Sequence, residues 1–262
     1  MLHLLALSLL ILASPAHAKR PPKAAAAEVK VPEAKVPEAK APAAGATPAP
    51  SDPAARAELV QDALARGDFA AAWPSVLVEA DAGSAPYEFL ACSLLFDGLG
   101  VAKDPAAAAT WCQRSAEQGF PDAQWYLGEM YAAGMGVAAD PALAIKWLRA
   151  SSEQGDGRAQ ASLGATLFRG PDTGHAEAAR WLDAAARQGA ASAMGPLALI
   201  LYGGTAVPQD KVLAYAWSHL GAQLDARQSV TSLRFMIAAD VTPEEKLQAE
   251  AKMKELMAAF PR

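Results

Sequence analysis

Apolar residues recur along much of this chain at the spacing of amphipathic helices. In one representative stretch, Ala123, Leu127 and Tyr131 fall at i, i+4 and i+8, which places their side chains on one side of an α-helix. A glycine-containing loop follows, and then a second alanine-rich stretch. The pattern predicts a pair of helices, here called helix A and helix B, joined by a loop.

Capping residues mark where these helices begin and end. Aspartate before proline is typical of a helix N-cap followed by the first helical residue, and a glycine after a helical stretch is typical of a left-handed terminating residue. Such aspartates occur at Asp104 and Asp140, with Asp210 in a related position, and the terminating glycines are Gly119, Gly155 and Gly189.

Four tryptophans show that the helix pair is repeated. Trp111, Trp147, Trp181 and Trp217 are 36, 34 and 36 residues apart, each in helix B of its pair. A period of this length is typical of stacked helical hairpins. We expect the indoles to fill the space between neighbouring units; contact with a ligand is the alternative.

The motif A-x-x-x-L-G-x-x-Y-x-x-G-x-G-V-x-x-D-x-x-x-A-x-x-W, best seen from Ala123 onwards, resembles the Sel1-like repeat family, which is related to tetratricopeptide repeats. The resemblance implies an all-α, right-handed α/α superhelical solenoid of helix pairs. The first unit departs from it with Ala91-Cys92 in place of Leu-Gly. The third lacks two loop residues, and the fourth has Pro196 early in helix A.

The resulting division of the chain has a leader, a cap at each end and four repeats. The predicted segments are 1–18 (signal peptide), 19–53 (Pro/Ala/Lys-rich disordered linker), 54–86 (N-terminal capping helix pair), 87–122, 123–158, 159–192 and 193–226 (repeats 1 to 4, the last degenerate), and 227–262 (C-terminal capping helices).

Residues 1–18 have the features of a secretory signal. They carry no acidic residue, lysine or arginine, are apolar from Leu4 to Ala13, and end in the small-x-small sequence before Lys19. We expect cleavage after Ala18 and a periplasmic or secreted protein, with an uncleaved anchor as the alternative. The apolar run is short for a membrane span, so no stable membrane insertion is expected after cleavage.

The linker is rich in proline, alanine and lysine, and the sequence Lys30–Ala34 repeats as Lys35–Ala39. Such composition predicts disorder, and a tether is the more specific alternative. The linker has six basic and four acidic side chains, a net +2. The total is −5 and the signal segment contributes nothing, so the remainder carries −7. An acidic repeat array is a poor match for phosphates, which excludes nucleic acid as the expected partner.

Catalytic signatures are lacking in the sequence. It contains no Ser-x-x-Lys, Gly-x-Ser-x-Gly, His-Glu-x-x-His or Cys-x-x-Cys motif. Gly-x-Gly recurs in step with the repeat and lacks a third glycine, which favours a hairpin loop over a phosphate-binding loop. We expect His175 and His219 to be ordinary surface or packing residues. The sequence therefore predicts no enzyme, no cofactor and no metal.

The two cysteines lie on the two helices of the first repeat. Cys92 and Cys112 face one another in an antiparallel hairpin, and an oxidising compartment would permit a disulfide. Helices usually pack about 8 to 10 Å apart, which is wide for such a bond. A disulfide and two buried thiols are both open.

Function is expected on the surface of helix A, at its third, seventh and tenth positions. By resemblance to tetratricopeptide arrays, this face lines a concave groove for a protein or an extended peptide; coverage by neighbouring helices is the alternative. The predicted groove residues are Phe89, Ser93, Phe96, Trp125, Glu129, Phe168 and Tyr202.

The leading hypothesis is a non-enzymatic exported scaffold for protein–protein interaction. One alternative is a cell-envelope enzyme, or a binder of peptidoglycan or a small molecule. Another is a structural component of an envelope or polysaccharide-export complex. The sequence leaves the partner's identity and the oligomeric state open.

Overall fold

The computed structural model describes residues 48–224 and 228–260 of the 262. The predicted signal peptide and most of the predicted linker lie outside them. The described residues form twelve α-helices and one short 3-10 helix, without a β-strand. The α-helices are α1 (Pro53–Arg66), α2 (Phe69–Asp81), α3 (Ala85–Asp97), α4 (Pro105–Glu117), α5 (Pro121–Ala133), α6 (Pro141–Glu153), α7 (Gly157–Arg169), α8 (His175–Arg187), α9 (Ala191–Gly203), α10 (Lys211–Leu224), α11 (Gln228–Ala239) and α12 (Pro243–Ala258).

The helices begin and end at the predicted capping residues. Asp104 and Asp140 each accept a hydrogen bond at 3.0 Å from the backbone N–H three residues later, and Asp210 accepts one at 2.8 Å. These aspartates are the predicted N-caps. The glycines that follow three of the B helices have φ of +88°, +91° and +86°, as expected of left-handed terminating residues. They are Gly119, Gly155 and Gly189.

The chain divides into two compact units, Met1–Trp147 and Leu148–Arg262. In each unit, consecutive helices pack against one another around a core of small, aliphatic and aromatic residues. This consecutive packing of helix pairs is that of an α/α solenoid, so the predicted all-α fold class is confirmed.

The repeated tryptophans differ in burial. Trp111 and Trp147 are buried in the core of the first unit, and Trp217 is buried in that of the second. Their predicted packing role is confirmed. Trp181 is only half-buried, and its Nε1 donates to Glu177 Oε1 at 3.2 Å. The polar edge of this ring therefore has a partner on its own helix.

The second glycine of the Gly-x-Gly loop serves a close backbone approach. Gly100 and Gly136 have φ of +70° and +73°. A methyl group on Gly100 would overlap the backbone of Phe69 and Ala70 at the start of α2, and one on Gly136 would overlap Pro105 at the start of α4. Each loop thus packs on the first turn of the preceding helix B, which explains the recurrence of the motif without a phosphate.

Helices α3 and α4 are joined by a disulfide between Cys92 and Cys112, whose Cα atoms are 5.3 Å apart. Both residues are fully buried. The corresponding slot in the third repeat holds Gly164, where an added Cβ would lie 2.6 Å from Leu182 Cγ. Helices A and B therefore approach closely at this position, and the close approach brings the cysteines within bonding range.

Candidate partner-binding surface

The seven predicted groove residues differ in exposure. Phe96, Trp125, Glu129, Phe168 and Tyr202 are partly exposed, whereas Phe89 and Ser93 are only 2% and 6% exposed. The prediction is corrected for these two, because buried side chains cannot contact a partner. The rings of Phe120 and Tyr126 lie 5.6 and 6.0 Å from the Phe89 ring, and Ser93 Oγ donates to Phe89 O at 3.1 Å.

Three neighbouring rings in the first unit form a continuous surface, which we call the aromatic strip: Phe96 of α3, and Trp125 and Tyr126 of α5. Tyr126 lies in the middle, 5.4 Å from Phe96 in an edge-to-face arrangement and 6.0 Å from Trp125. All three are partly exposed. Edge-to-face and tilted contacts suit the ring quadrupoles, so the rings support one another while leaving area for a ligand.

Tyr126 was missed by the sequence prediction. It occupies the fourth position of helix A, where the other repeats have Leu90, Ser162 and Pro196. The face assignment considered only the third, seventh and tenth positions. The available signal was the pair of adjacent large aromatic residues, Trp125 and Tyr126, because no other repeat has two aromatic residues at these positions.

Charged groups surround the strip. Lys103 Nζ lies 5.7 Å from the centre of the Phe96 ring, and Asp97 follows Phe96 at the end of α3. Burial raises the pKa of the Asp97 carboxyl, which Lys103 partly opposes. Burial, and then the charge of Asp97, raises the pKa of Tyr126, so its phenol stays protonated. Glu129 lies one helical turn beyond Trp125.

The second unit places two further predicted residues at the tenth position of helix A. The Phe168 ring lies 5.1 Å from the ring of His175. Tyr202 Oη donates to Asp240 Oδ2 at 3.1 Å, and Lys211 Nζ is 2.8 Å from the same oxygen. These contacts tie Tyr202 to the end of α11.

Leu199 was also missed. It lies at the seventh position of the fourth repeat and is 39% exposed, which makes it one of the few exposed large apolar side chains of the described residues. Applying the seventh-position rule to every repeat would have found it.

In two of the repeats, polar side chains connect helix A with the end of helix B of the same repeat. Glu88 Oε1 is 2.8 Å from Arg114 Nη2, and its Oε2 accepts from Gln118 Nε2 at 2.6 Å. Two repeats later, Gln188 Nε2 donates to Gln160 Oε1 at 2.9 Å. Burial raises the pKa of Glu88, against the opposing effects of Arg114 and Gln118. Because these groups satisfy one another, they position the helices rather than form a ligand site.

Within residues 48–224 and 228–260, no group of three or more His, Cys, Asp and Glu side chains could hold a metal ion. Burial, and then the charge of Arg234, lowers the pKa of His219. In the same ranges no helix is both long enough and apolar enough to cross a membrane.

The solved structures similar to this chain include the following two proteins. The first is a protective antigen of uropathogenic Escherichia coli strains that displays an SLR fold; it is 29% identical, with a TM-score of 0.52, over 80% of this chain and 54% of the antigen. This chain thus spans about half the length of that protein. The second is a Sel1 repeat protein of Oxalobacter formigenes, 25% identical with a TM-score of 0.59, over 67% of this chain and 72% of that protein. No match was found among curated proteins.

Comparison with protein families gives a direct assignment. The Sel1 repeat matches four times, at residues 87–120, 121–156, 157–189 and 190–225, which together cover more than half of the chain. Sel1 repeat proteins are typically scaffolds for protein interaction. The recurring Gly-x-Gly loops and stacked helix pairs, together with these matches, show that the chain belongs to the Sel1 repeat family.

Proposed function

We propose that this protein is a non-enzymatic scaffold that binds another protein, or an extended peptide, on the exposed face of its A helices. The aromatic strip carries the proposal. It presents three adjoining, partly exposed rings on neighbouring A helices, with polar groups beside them. Tryptophan and tyrosine are enriched among the residues that dominate binding energy, because they bury a large area at a small entropic cost.

We further propose that the protein acts after export, in the periplasm or outside the cell. The N-terminal sequence supports export, since it has an apolar stretch followed by a small-x-small cleavage pattern. The disulfide between Cys92 and Cys112 adds support, because such bonds persist in oxidising compartments and are rare in the cytosol. Fractionation of cells that express the full chain, with N-terminal sequencing of the product, tests export directly. Cytoplasmic protein that retains Met1 would contradict it.

Affinity capture with the full chain tests the binding surface. Trp125→Ala should weaken the partner's binding by about 30-fold, since loss of an interface hot spot costs about 2 kcal/mol. Phe235→Ala is the matched control, because Phe235 is an aromatic residue that is 62% exposed and lies on α11, not on the two helices that form the strip. Equal affinities for the wild type and Trp125→Ala, or equal losses in the two variants, would refute the assignment.

A further inference from the structure

The aromatic strip is complementary in chemistry to a segment near the N-terminus of the same chain. Lys30–Lys40 reads Lys-Val-Pro-Glu-Ala-Lys-Val-Pro-Glu-Ala-Lys. Aromatic surfaces are the usual binding sites of proline-containing extended peptides, and ammonium groups bind over aromatic faces. We propose that Lys30–Lys40 docks on the aromatic strip and so occupies the surface that the proposed function, on which this inference rests, assigns to a partner.

The strip already holds one ammonium group in the required manner. Lys103 Nζ lies over Phe96 at 5.7 Å from the ring centre, next to the carboxylate of Asp97. Trp125 and Glu129, one helical turn apart on α5, provide a second pairing of a ring with a carboxylate. A lysine of the segment would meet an aromatic ring and a carboxylate at Trp125, as Lys103 does at Phe96.

Charge favours the same pairing. The segment has three lysines and two glutamates, a net +1, whereas the chain beyond the linker carries −7. Asp97 and Glu129 place two carboxylates next to members of the strip, one on each of its helices. Opposite charges at close range attract measurably at moderate ionic strength, where the Debye length is about 10 Å.

The chain is long enough to make the contact. Arg56 Nη1 donates to Pro50 O and Ser51 O, both at 2.8 Å, which holds the chain at the start of α1. Nine residues, 41–49, connect this point to the segment and span up to about 30 Å when extended. The A helices α1, α3 and α5 follow in order, and two helix spacings of about 10 Å separate α1 from α5. Arg56 lies close enough to Tyr87 of α3 to affect the pKa of that phenol, as expected of neighbouring helices.

Photo-crosslinking in the full chain tests the docking. With Val36 replaced by p-benzoylphenylalanine, irradiation should join the segment to tryptic peptides that contain Phe96 or Trp125. The yield should not depend on protein concentration, because the contact is within one chain. Trp125→Ala should remove most of the product, and Phe235→Ala, with its exposed ring outside the strip, should leave it unchanged. Cross-links elsewhere, or only between chains, would overturn the proposal.

Competition in trans provides a second test. A tethered segment has an effective concentration on the order of 1 mM. The free peptide is a synthetic copy of residues 29–41, taken to bind the unoccupied strip with a Kd of about 0.1 mM. It should bind the triple variant Lys30→Glu, Lys35→Glu and Lys40→Glu about tenfold more tightly than the wild type, because only in the wild type does the tethered segment compete for the strip. Equal affinities would overturn the docking, and so would a peptide that binds neither chain.

The outcomes separate this inference from the proposed function. Partner capture that requires Trp125, combined with cross-links away from the strip, would overturn the docking and leave the scaffold function standing. Cross-links to the strip, combined with partner capture that does not depend on Trp125, would overturn the proposed binding surface and leave the docking standing.

Discussion

Replacing Gly136 by alanine tests whether loop-to-helix contacts hold successive repeats in register. Gly136 has φ of +73°, a left-handed conformation that L-residues adopt at a cost. Its added Cβ would also lie 2.5 Å from Pro105 C and 3.1 Å from Pro105 Cβ, at the first turn of α4. Backbone atoms at a helix start cannot move aside as the end of a flexible side chain can.

The cost of the left-handed backbone can be separated from the cost of the overlap with Pro105 by a control that has only the left-handed backbone. Gly67 has φ of +71° and no atom within 4 Å of an added Cβ. Its replacement by alanine should cost about 1 to 2 kcal/mol, the usual penalty for a left-handed L-residue. Gly136→Ala should cost this amount and a further 1 to 3 kcal/mol or so, the range for overpacking a tight contact. Gly83, with φ of +85° and equally open surroundings, is a second control in the same unit.

Urea unfolding followed by circular dichroism at 222 nm measures the difference. With m values of about 1 to 3 kcal/mol/M, an extra 2 kcal/mol lowers the unfolding midpoint of Gly136→Ala by about 1 M relative to Gly67→Ala. The m values should agree, since the helices are the same. If both variants unfold at one midpoint, the loop contact does not stabilise the stack and the explanation of the Gly-x-Gly motif is wrong.

Three further perturbations test other parts of the fold. Replacing both Cys92 and Cys112 by alanine should lower the free energy of unfolding by about 3 kcal/mol, because the bond closes a loop with a sequence separation of 20; an unchanged melting temperature with and without reductant in the wild type would argue against this. Trp217→Ala should cost about 3 to 5 kcal/mol and Trp181→Ala clearly less, since Trp217 is fully buried and Trp181 is not; equal losses in denaturant unfolding would contradict the burial argument. Burial alone would raise the pKa of Glu177, but hydrogen bonds from Arg149 and Trp181 outweigh it and hold the pKa below its ordinary value. The resulting stability is present above the ordinary pKa and is lost as pH falls through the lower folded value. Glu177→Gln should therefore destabilise by about 1 kcal/mol at pH 7 and by progressively less below about pH 4. A loss that stays constant with pH would show that the carboxylate charge is not involved.

Several features were predictable because they depend on short stretches of sequence. Asp104 and Asp140 cap the helices they precede, since the cap uses one side chain and backbone groups two or three residues away. The capping box of Thr242 and Glu245 at the start of α12 is equally local, since it joins residues three apart along the chain. The period of the tryptophans predicted the helix pairs, because a repeated spacing requires a repeated environment.

The candidate surface was predicted less completely. The position rule for helix A selected Trp125 and Phe96, which are partly exposed, but it also selected Phe89, which Phe120 and Tyr126 cover. Whether a ring on the outer face of one helix is accessible depends on the size of the residues on the next helix. The first repeat is followed by a repeat with two adjacent large rings, so its own third position is covered.

By itself, the sequence determined the repeat period, the helix limits and the all-helical class, because these follow from side-chain periodicity and from backbone groups close along the chain. Only the tertiary structure decided that Cys92 bonds to Cys112, that Trp181 is half-exposed while Trp217 is buried, and that Tyr126 joins Phe96 to Trp125. Those outcomes depend on distances of a few ångströms between helices, which are set by the volumes of all the side chains packed between them.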